Sequence, residues 1–201
     1  METYLGPNFS TLYKNNYRNF SIDKFELAIS GEEFEIQASK FYKENDGKKY
    51  KNSGFWCINE GVSKGKIVGG NLCTFNLLQG TEYMPDLKNK IICIEDDNIF
   101  TDHNTFFMEF KRNFISLTQQ KNFDKVQGIL IGRFEHSVSN SFRKRNLKYL
   151  LTLSPKLKNI PIIANVDFGH TKPLYILPIG RNCKILSSKK KCKIKILARD
   201  K

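Results

Sequence analysis

Ile91-Ile92-Cys93-Ile94 is an apolar run of strand length, and the acidic residues Glu95-Asp96-Asp97 close it. Two more runs of this kind follow along the chain, Gly128-Ile129-Leu130-Ile131-Gly132 and Ile160-Pro161-Ile162-Ile163-Ala164. Short continuous apolar runs are typical of strands that are buried on both faces of a parallel sheet. The runs therefore predict three buried strands.

The segments between these runs carry helical patterns. A helix is predicted from about Asn104, and a second one over residues 141–151. The apolar face of the first helix is formed by Phe107, Phe110, Phe114 and Leu117, which recur at helical spacing. The order strand, helix, strand, helix, strand predicts an α/β fold with a parallel βαβαβ layer.

Weaker signals lie on both sides of this layer. Near the start, a short strand is followed by a helix that Ser21 is expected to cap and Gly31 to end. Asn71 is expected to cap a short helix that stops at Gly80. The tail predicts short antiparallel strands over residues 174–179, 183–186 and 193–197.

The polar segment 40–54 separates two parts of different composition. It contains the turn-like residues 45–49, Asn-Asp-Gly-Lys-Lys, and the apolar Phe55-Trp56 follows it. We therefore place a domain boundary here, with residues 1–54 on one side and residues 55–201 on the other.

Composition excludes several classes of protein. The 201 residues include 33 basic and 20 acidic ones, a net charge of +13, with 40% hydrophobic residues, which is the balance of a globular protein. No apolar run approaches the ~20 residues of a membrane span, and the N-terminus resembles no secretory signal, so we expect no membrane partner and a cytoplasmic location. The lysines are spread along the chain, which favours a solvated basic face over a nucleic-acid partner.

The five cysteines, at positions 57, 73, 93, 183 and 192, are widely spaced and include no CxxC motif. An odd count without close spacing is unlike a disulfide framework or a zinc ribbon. The three histidines are equally scattered. We therefore expect unpaired cysteines, no metal site and no cofactor.

Sites in open parallel sheets form beyond the carboxyl ends of the strands. Glu95 follows the first apolar run and His170 follows the third, so both are expected at one end of the sheet. A carboxylate that accepts a hydrogen bond from an imidazole fixes its tautomer, as a general base in acyl transfer requires. His136 is a competitor in a polar loop, and His103 stands beside a helix start.

A dyad of this kind needs a nucleophile, and the sequence offers none. The GxSxG elbow of many serine hydrolases is absent. Cys93 shares a strand face with Glu95, but its apolar surroundings indicate a buried thiol.

Several ordered motifs resemble the C-terminal half of the LD-carboxypeptidases, a family of serine peptidases that includes muramoyltetrapeptide carboxypeptidases and microcin C immunity proteins. The similarity is specific over residues 55–181, and Tyr4–Ser10 resembles a stretch of the family's N-terminal domain. The motifs are Ile58–Gly61, Gly69–Thr74, Leu78–Pro85, Ile91–Asp96, Gly128–Phe134, Pro161–Thr171, Pro173 and Leu177–Gly180.

The resemblance implies a Ser-His-Glu triad that hydrolyses L,D-peptide amides of muropeptides in peptidoglycan recycling, or a microcin-like amide. Glu95 matches the triad carboxylate and His170 the base, while the family's serine lies in the N-terminal domain, upstream of residue 1. Residues 1–54 are then a remnant of that domain with its linker, and residues 55–201 are the C-terminal domain. Trp56, in the connection, is a candidate substrate-binding residue or a packing residue.

Three interpretations remain open at this stage. The chain is half of a hydrolase that acts with a separately encoded N-terminal half, a truncated remnant without chemistry, or a basic binding or dimerisation module. Under the first two, residues 1–201 alone are inactive. Peptide or muropeptide substrates, the N-terminal half and a second copy of the chain are the candidate partners.

Overall fold

A computed structural model describes residues 2–12, 17–44, 47–97, 102–134 and 139–200, without the side chains of residues 10, 11 and 103. Its helices are α1 (Phe9–Leu12), α2 (Arg18–Ser30), α3 (Leu72–Asn76), α4 (His103–Thr118) and α5 (Asn140–Leu153). Its strands are β1 (Thr3–Leu5), β2 (Phe34–Ile36), β3 (Phe41–Lys43), β4 (Lys49–Lys51), β5 (Trp56–Asn59), β6 (Gly61–Asn71), β7 (Lys90–Glu95), β8 (Gly128–Arg133), β9 (Ile162–Gly169), β10 (Leu177–Ile179), β11 (Asn182–Ser187) and β12 (Lys193–Ile196).

Eight of these strands form one mixed sheet in the order β2-β12-β11-β6-β7-β8-β9-β5. The four central strands, β6 to β9, are parallel, and α4 and α5 connect β7 to β8 and β8 to β9. Antiparallel strands extend the sheet on both sides. The predicted α/β class, the parallel layer and the antiparallel tail are confirmed.

The sheet divides the core into two layers. Alternate residues of β7 face opposite sides, so Ile92 and Ile94 pack against α4 and α5, whereas Ile91 and Cys93 face the other layer. The predicted apolar face of α4 is buried in the first layer, with Phe110 and Phe114 stacked 6.0 Å apart. The second layer includes Tyr175 and residues of β2, β10, β11 and β12. Glu95 therefore faces the second layer.

Helix ends follow the sequence at two of four predicted positions, since α3 ends at Asn76 and does not continue to Gly80. Asn71 caps α3 by accepting a hydrogen bond from the Thr74 amide at 3.0 Å, and Gly31 ends α2 with a φ of 83°. Ser21 is wrong as a cap, because α2 begins one turn earlier, at Arg18. Ser21 is instead buried inside the helix, and its amide donates to the Tyr17 carbonyl at 2.9 Å.

The segment 40–54 is more ordered than its composition indicates. β3 and β4 pair as an antiparallel hairpin, in which the rings of Tyr42 and Tyr50 stack 5.4 Å apart. The hairpin continues into the rest of the molecule through a backbone bridge between Lys43 and Lys172. This segment is therefore part of the fold and not only a linker.

Residues before position 55 also contribute strands to the rest of the chain. β2 pairs with β12 at the edge of the main sheet, and β1 pairs with β10. The domain division after residue 54 stays a prediction.

The cysteines are unpaired, as expected: Cys93 and Cys183 are buried and Cys73 is exposed. Burial raises the pKa of the Cys183 thiol to about 12 and raises that of Cys93 as well, so both are inert thiols. Among the described residues, no helix is both long enough and apolar enough to span a membrane.

Gly69 and Gly70 offer a test of how closely β6 approaches β7. Both have a positive φ, 129° and 157°, but only a Cβ at Gly69 would collide with the Cys93 carbonyl, whereas one at Gly70 meets nothing within 4 Å. We expect Gly69→Ala to lose about 3 kcal/mol of unfolding free energy or more, and Gly70→Ala about 1 kcal/mol. Urea denaturation measures both. Equal losses would contradict the close approach at Gly69.

Candidate active site

The ends of the parallel strands meet at one edge of the sheet. Asn71, the last residue of β6, is opposite Glu95, the last residue of β7. Arg133, the last residue of β8, is opposite Gly169, the last residue of β9. His170 follows directly, so the residues that the sequence placed at strand ends are brought together at this edge.

Glu95 and His170 form a hydrogen-bonded pair. The Oε2 atom of Glu95 lies 2.6 Å from Nδ1 of His170. The Glu95 side chain is 5% exposed and that of His170 is 40% exposed, so the carboxylate is shielded while the ring remains accessible. With an ionised carboxylate as acceptor, Nδ1 carries the proton and Nε2 is left as a base. The expected contact is thus present, and its catalytic role stays a prediction.

Two glycines make room for this pair. β8 lies between β7 and β9, so Glu95 must reach past β8 to meet His170. A Cβ at Gly132 of β8 would lie 2.8 Å from the Glu95 Cβ and 2.7 Å from the Phe168 carbonyl oxygen. A Cβ at Gly169, whose φ is 103°, would lie 3.1 Å from Glu95 Oε2. Any side chain at these positions would displace the carboxylate.

A cavity of about 580 Å³ opens next to the pair. Its ionisable lining residues are Glu95, Asp97, His170 and Lys172. The N-terminal stretch Leu5–Asn8 forms part of its wall. The other lining residues are Asn71, Thr74, Gly169, Leu174 and Tyr175. Among these lining residues, which all belong to the described part of the chain, there is no serine or cysteine.

Asp96 adds a second buried acid beside the pair. It is 8% exposed, and its Oδ1 accepts a hydrogen bond from the Asp97 amide at 3.1 Å. Burial, followed by the neighbouring Asp97 charge, raises the pKa of Asp96 to about 7. Asp96 therefore holds a proton over much of the range below neutrality. The sequence gave no signal of this shift.

The other candidates from the sequence lie elsewhere. Trp56 is 3% exposed in the core, where its Nε1 donates to Ser53 Oγ at 2.8 Å, and it does not line the cavity. This location fits a packing residue. His103 begins α4, but its side chain is outside the described part of the structure, and His136 lies wholly outside the described residues.

A buried polar cluster behind His170 was missed by sequence reasoning. The Arg133 side chain is completely buried and forms an ion pair with the equally buried Asp167. Its Nε and Nη1 donate to Asn165 Oδ1 at 3.2 Å and Thr171 Oγ1 at 3.3 Å. Burial lowers the pKa of Arg133 to about 10, which leaves it charged at neutral pH. The available signal was an arginine at the end of an apolar strand.

Comparison with known proteins places the chain beside a set of peptidases. A family model described as the LD-carboxypeptidase C-terminal domain matches residues 64–185. The putative carboxypeptidase YocD of Bacillus subtilis is 38% identical over 191 residues, which are 91% of this chain and 57% of YocD. The Microcin C7 self-immunity protein MccF of Escherichia coli is 32% identical over 136 residues, 66% of this chain and 37% of MccF.

The fold is similar to solved structures as well. An MccF-like protein from Bacillus anthracis superposes with a TM-score of 0.86 at 34% identity, covering 98% of this chain and 61% of that chain. The chain thus spans between about a third and 57% of the curated relatives named above.

Asp96 predicts a pH dependence of stability with a definite sign. Its pKa is near 3.8 when unfolded and about 7 when folded, so between these values the unfolded chain releases a proton that the folded chain keeps. This contribution therefore destabilises the fold progressively as the pH rises from about 4 to about 7, and it is constant above. Asp96→Asn cannot ionise. We expect its unfolding free energy, relative to the original chain, to increase over this range in urea titrations. A difference independent of pH would contradict the raised pKa.

Proposed function

Because the chain belongs to the LD-carboxypeptidase family, we propose that it supplies the His-Glu part of a Ser-His-Glu triad that hydrolyses L,D-peptide amide bonds. The observation that carries this proposal is the 2.6 Å contact between Glu95 and His170 at the wall of a cavity. The family is supported by the match over residues 64–185.

The chemistry assigns a different task to each residue. Glu95 accepts a hydrogen bond from the Nδ1–H group of His170, which fixes the tautomer that has a basic Nε2. The imidazole then removes the proton of a serine hydroxyl as that oxygen attacks the amide carbon, and later gives the proton to the leaving amine. The nearby carboxylate stabilises the imidazolium formed in between.

The hydroxyl comes from outside residues 1–201 under this proposal. Residues 55–201 form the C-terminal domain, residues 1–54 belong to the N-terminal one, and the rest of that domain is in a longer or separate polypeptide. The coverage of 57% of YocD leaves room for such a part. The cavity wall formed by Leu5–Asn8 then lies where the two domains meet. Residues 1–201 alone are inactive, since no hydroxyl is activated.

The substrate class follows from the relatives. Muropeptides with an L,D-amide, in cytoplasmic peptidoglycan recycling, are the first choice because of the family description. A microcin-like amide is the second, since MccF is among the relatives and has been solved with aspartyl sulfamoyl adenosine. These compounds define the two substrates for a test.

One observation favours a second candidate function, a basic binding module. Lys64 lies opposite Lys184, and Lys184 lies opposite Lys195, so three like charges form one row across β6, β11 and β12. Only Lys195 of this row has an ion pair among the described residues, with Glu33 at 2.7 Å. An anionic ligand would relieve this repulsion. Binding through such charges weakens steeply as salt is added. Association with a second copy is a further proposal, which sedimentation would test.

The decisive experiment supplies the proposed missing part of the N-terminal domain and measures peptide hydrolysis. We expect a fusion of the N-terminal part of YocD that lies outside its match with this chain to residues 1–201 to release the terminal D-amino acid from a muramoyl tetrapeptide, whereas residues 1–201 alone do not. His170→Ala in the fusion is expected to lower kcat by roughly 10⁴-fold or more, and Glu95→Gln by roughly 10³-fold to 10⁴-fold. Aspartyl sulfamoyl adenosine is assayed in parallel as the alternative substrate.

Lys64→Ala serves as the matched control, because Lys64 is exposed on β6 away from the cavity. It should retain full activity and should weaken only the salt-sensitive binding of an anion. A folded fusion that cleaves neither substrate would contradict the proposed function. Turnover by residues 1–201 alone would contradict the external hydroxyl.

A further inference from the structure

His170 lies in a short segment that is held from two sides. On one side, its ring contacts Glu95 at 2.6 Å. On the other, the residue that follows it, Thr171, is 1% exposed and accepts a hydrogen bond from Arg133 Nη1 at 3.3 Å. Arg133 and Thr171 do not line the cavity, so neither is placed to touch a substrate. Any effect of these two residues on chemistry is therefore indirect.

Arg133 connects positions before and after His170 with a single side chain. Its guanidinium pairs with Asp167 and binds Asn165 on β9, and it also reaches Thr171 beyond the end of that strand. A planar guanidinium offers several donors in one fixed geometry, which a lysine does not. The side chains of Asn165, Asp167 and Thr171 are therefore all bound by one rigid group at the end of β8.

The cluster is anchored to the hairpin as well. Asp167 Oδ2 accepts a hydrogen bond from the Ser39 amide at 2.7 Å. The ring of Tyr42 lies 4.4 Å from the Arg133 guanidinium carbon, a cation–π contact. Lys43 and Lys172 exchange two backbone hydrogen bonds, at 2.7 and 3.0 Å. The hairpin thus contacts this segment at Lys172 and the cluster at Arg133.

We propose that Arg133, acting through Asp167 and Thr171, is a positioning residue that sets the orientation of His170 toward Glu95. The catalytic consequence rests on the proposed function, whereas the orientation itself is a property of residues 1–201. Burying the Arg133–Asp167 ion pair costs free energy, because both charges lose their hydration. This cost is offset by the hydrogen bonds that the pair makes to the groups around it. Thr171 supplies the link next to the histidine.

Three conservative variants separate positioning from folding. Thr171→Val removes the hydroxyl and keeps the shape of the side chain, while Thr171→Ser keeps the hydroxyl. Arg133→Lys keeps the positive charge and removes the planar guanidinium with its several donors. Thermal melting establishes that each variant is folded before any comparison is made.

The readout on residues 1–201 is the ¹⁵N NMR signal of the His170 ring, which distinguishes a proton on Nδ1 from one on Nε2. We expect the original chain and Thr171→Ser to show the Nδ1–H tautomer. Thr171→Val and Arg133→Lys should show a mixture of tautomers with faster exchange of the Nδ1 proton. A purely structural role would lower the melting temperature and leave the ring signals unchanged, and that result in folded variants would overturn the proposal.

Kinetics of the completed fusion provide the second readout. Thr171→Val should lower kcat by between about 10-fold and 100-fold with little change in KM, since the binding surface is intact and only the base is misplaced. Thr171→Ser should restore most of the rate. An unchanged kcat in Thr171→Val would also overturn the proposal. An inactive fusion with altered ring signals would instead count against the proposed function and leave the positioning role supported.

Discussion

The hydrogen bond between Glu95 and His170 joins residues at the ends of two strands that are separated by a third strand. The site depends on the Glu95 side chain extending across that middle strand. β8 separates β7 from β9, and the Glu95 side chain passes over it at Gly132, where an added Cβ would lie 2.8 Å from the Glu95 Cβ. The lack of a side chain at Gly132 and at Gly169 is what allows Glu95 to approach His170 within 2.6 Å. Because the strands are parallel, both residues come to the same edge of the sheet.

Two groups of buried polar side chains surround the His170 ring. Glu95 and Asp96 supply buried acid groups beside the ring, and Arg133 with Asp167 supplies a buried ion pair behind it. Removing one partner of a buried pair typically costs about 3–5 kcal/mol, because the other charge is left uncompensated. Under the positioning role proposed for Arg133, the same contacts that stabilise the fold also orient the histidine.

The sequence predicted the parts of this structure that depend on local pattern. The buried strands around Ile91–Ile94, the phenylalanine face of α4 and the Asn71 cap each follow from spacing and residue type. The position of Ser21 inside α2 and the hairpin at residues 41–51 depend on tertiary contacts, which pattern does not show. The pair of Glu95 and His170 was predicted from strand ends together with the family resemblance, whereas the cluster around Arg133 required knowledge of which side chains cross between strands.

The most direct test of this account is a crystal structure of residues 1–201 without ligand, in which the separation of Glu95 Oε2 and His170 Nδ1 is measured. The account predicts a hydrogen bond, with the two atoms about 2.6–3.2 Å apart and the Glu95 Cβ packed against Gly132. A His170 ring in a different rotamer, turned away from Glu95 so that no hydrogen bond joins the two atoms, would contradict it.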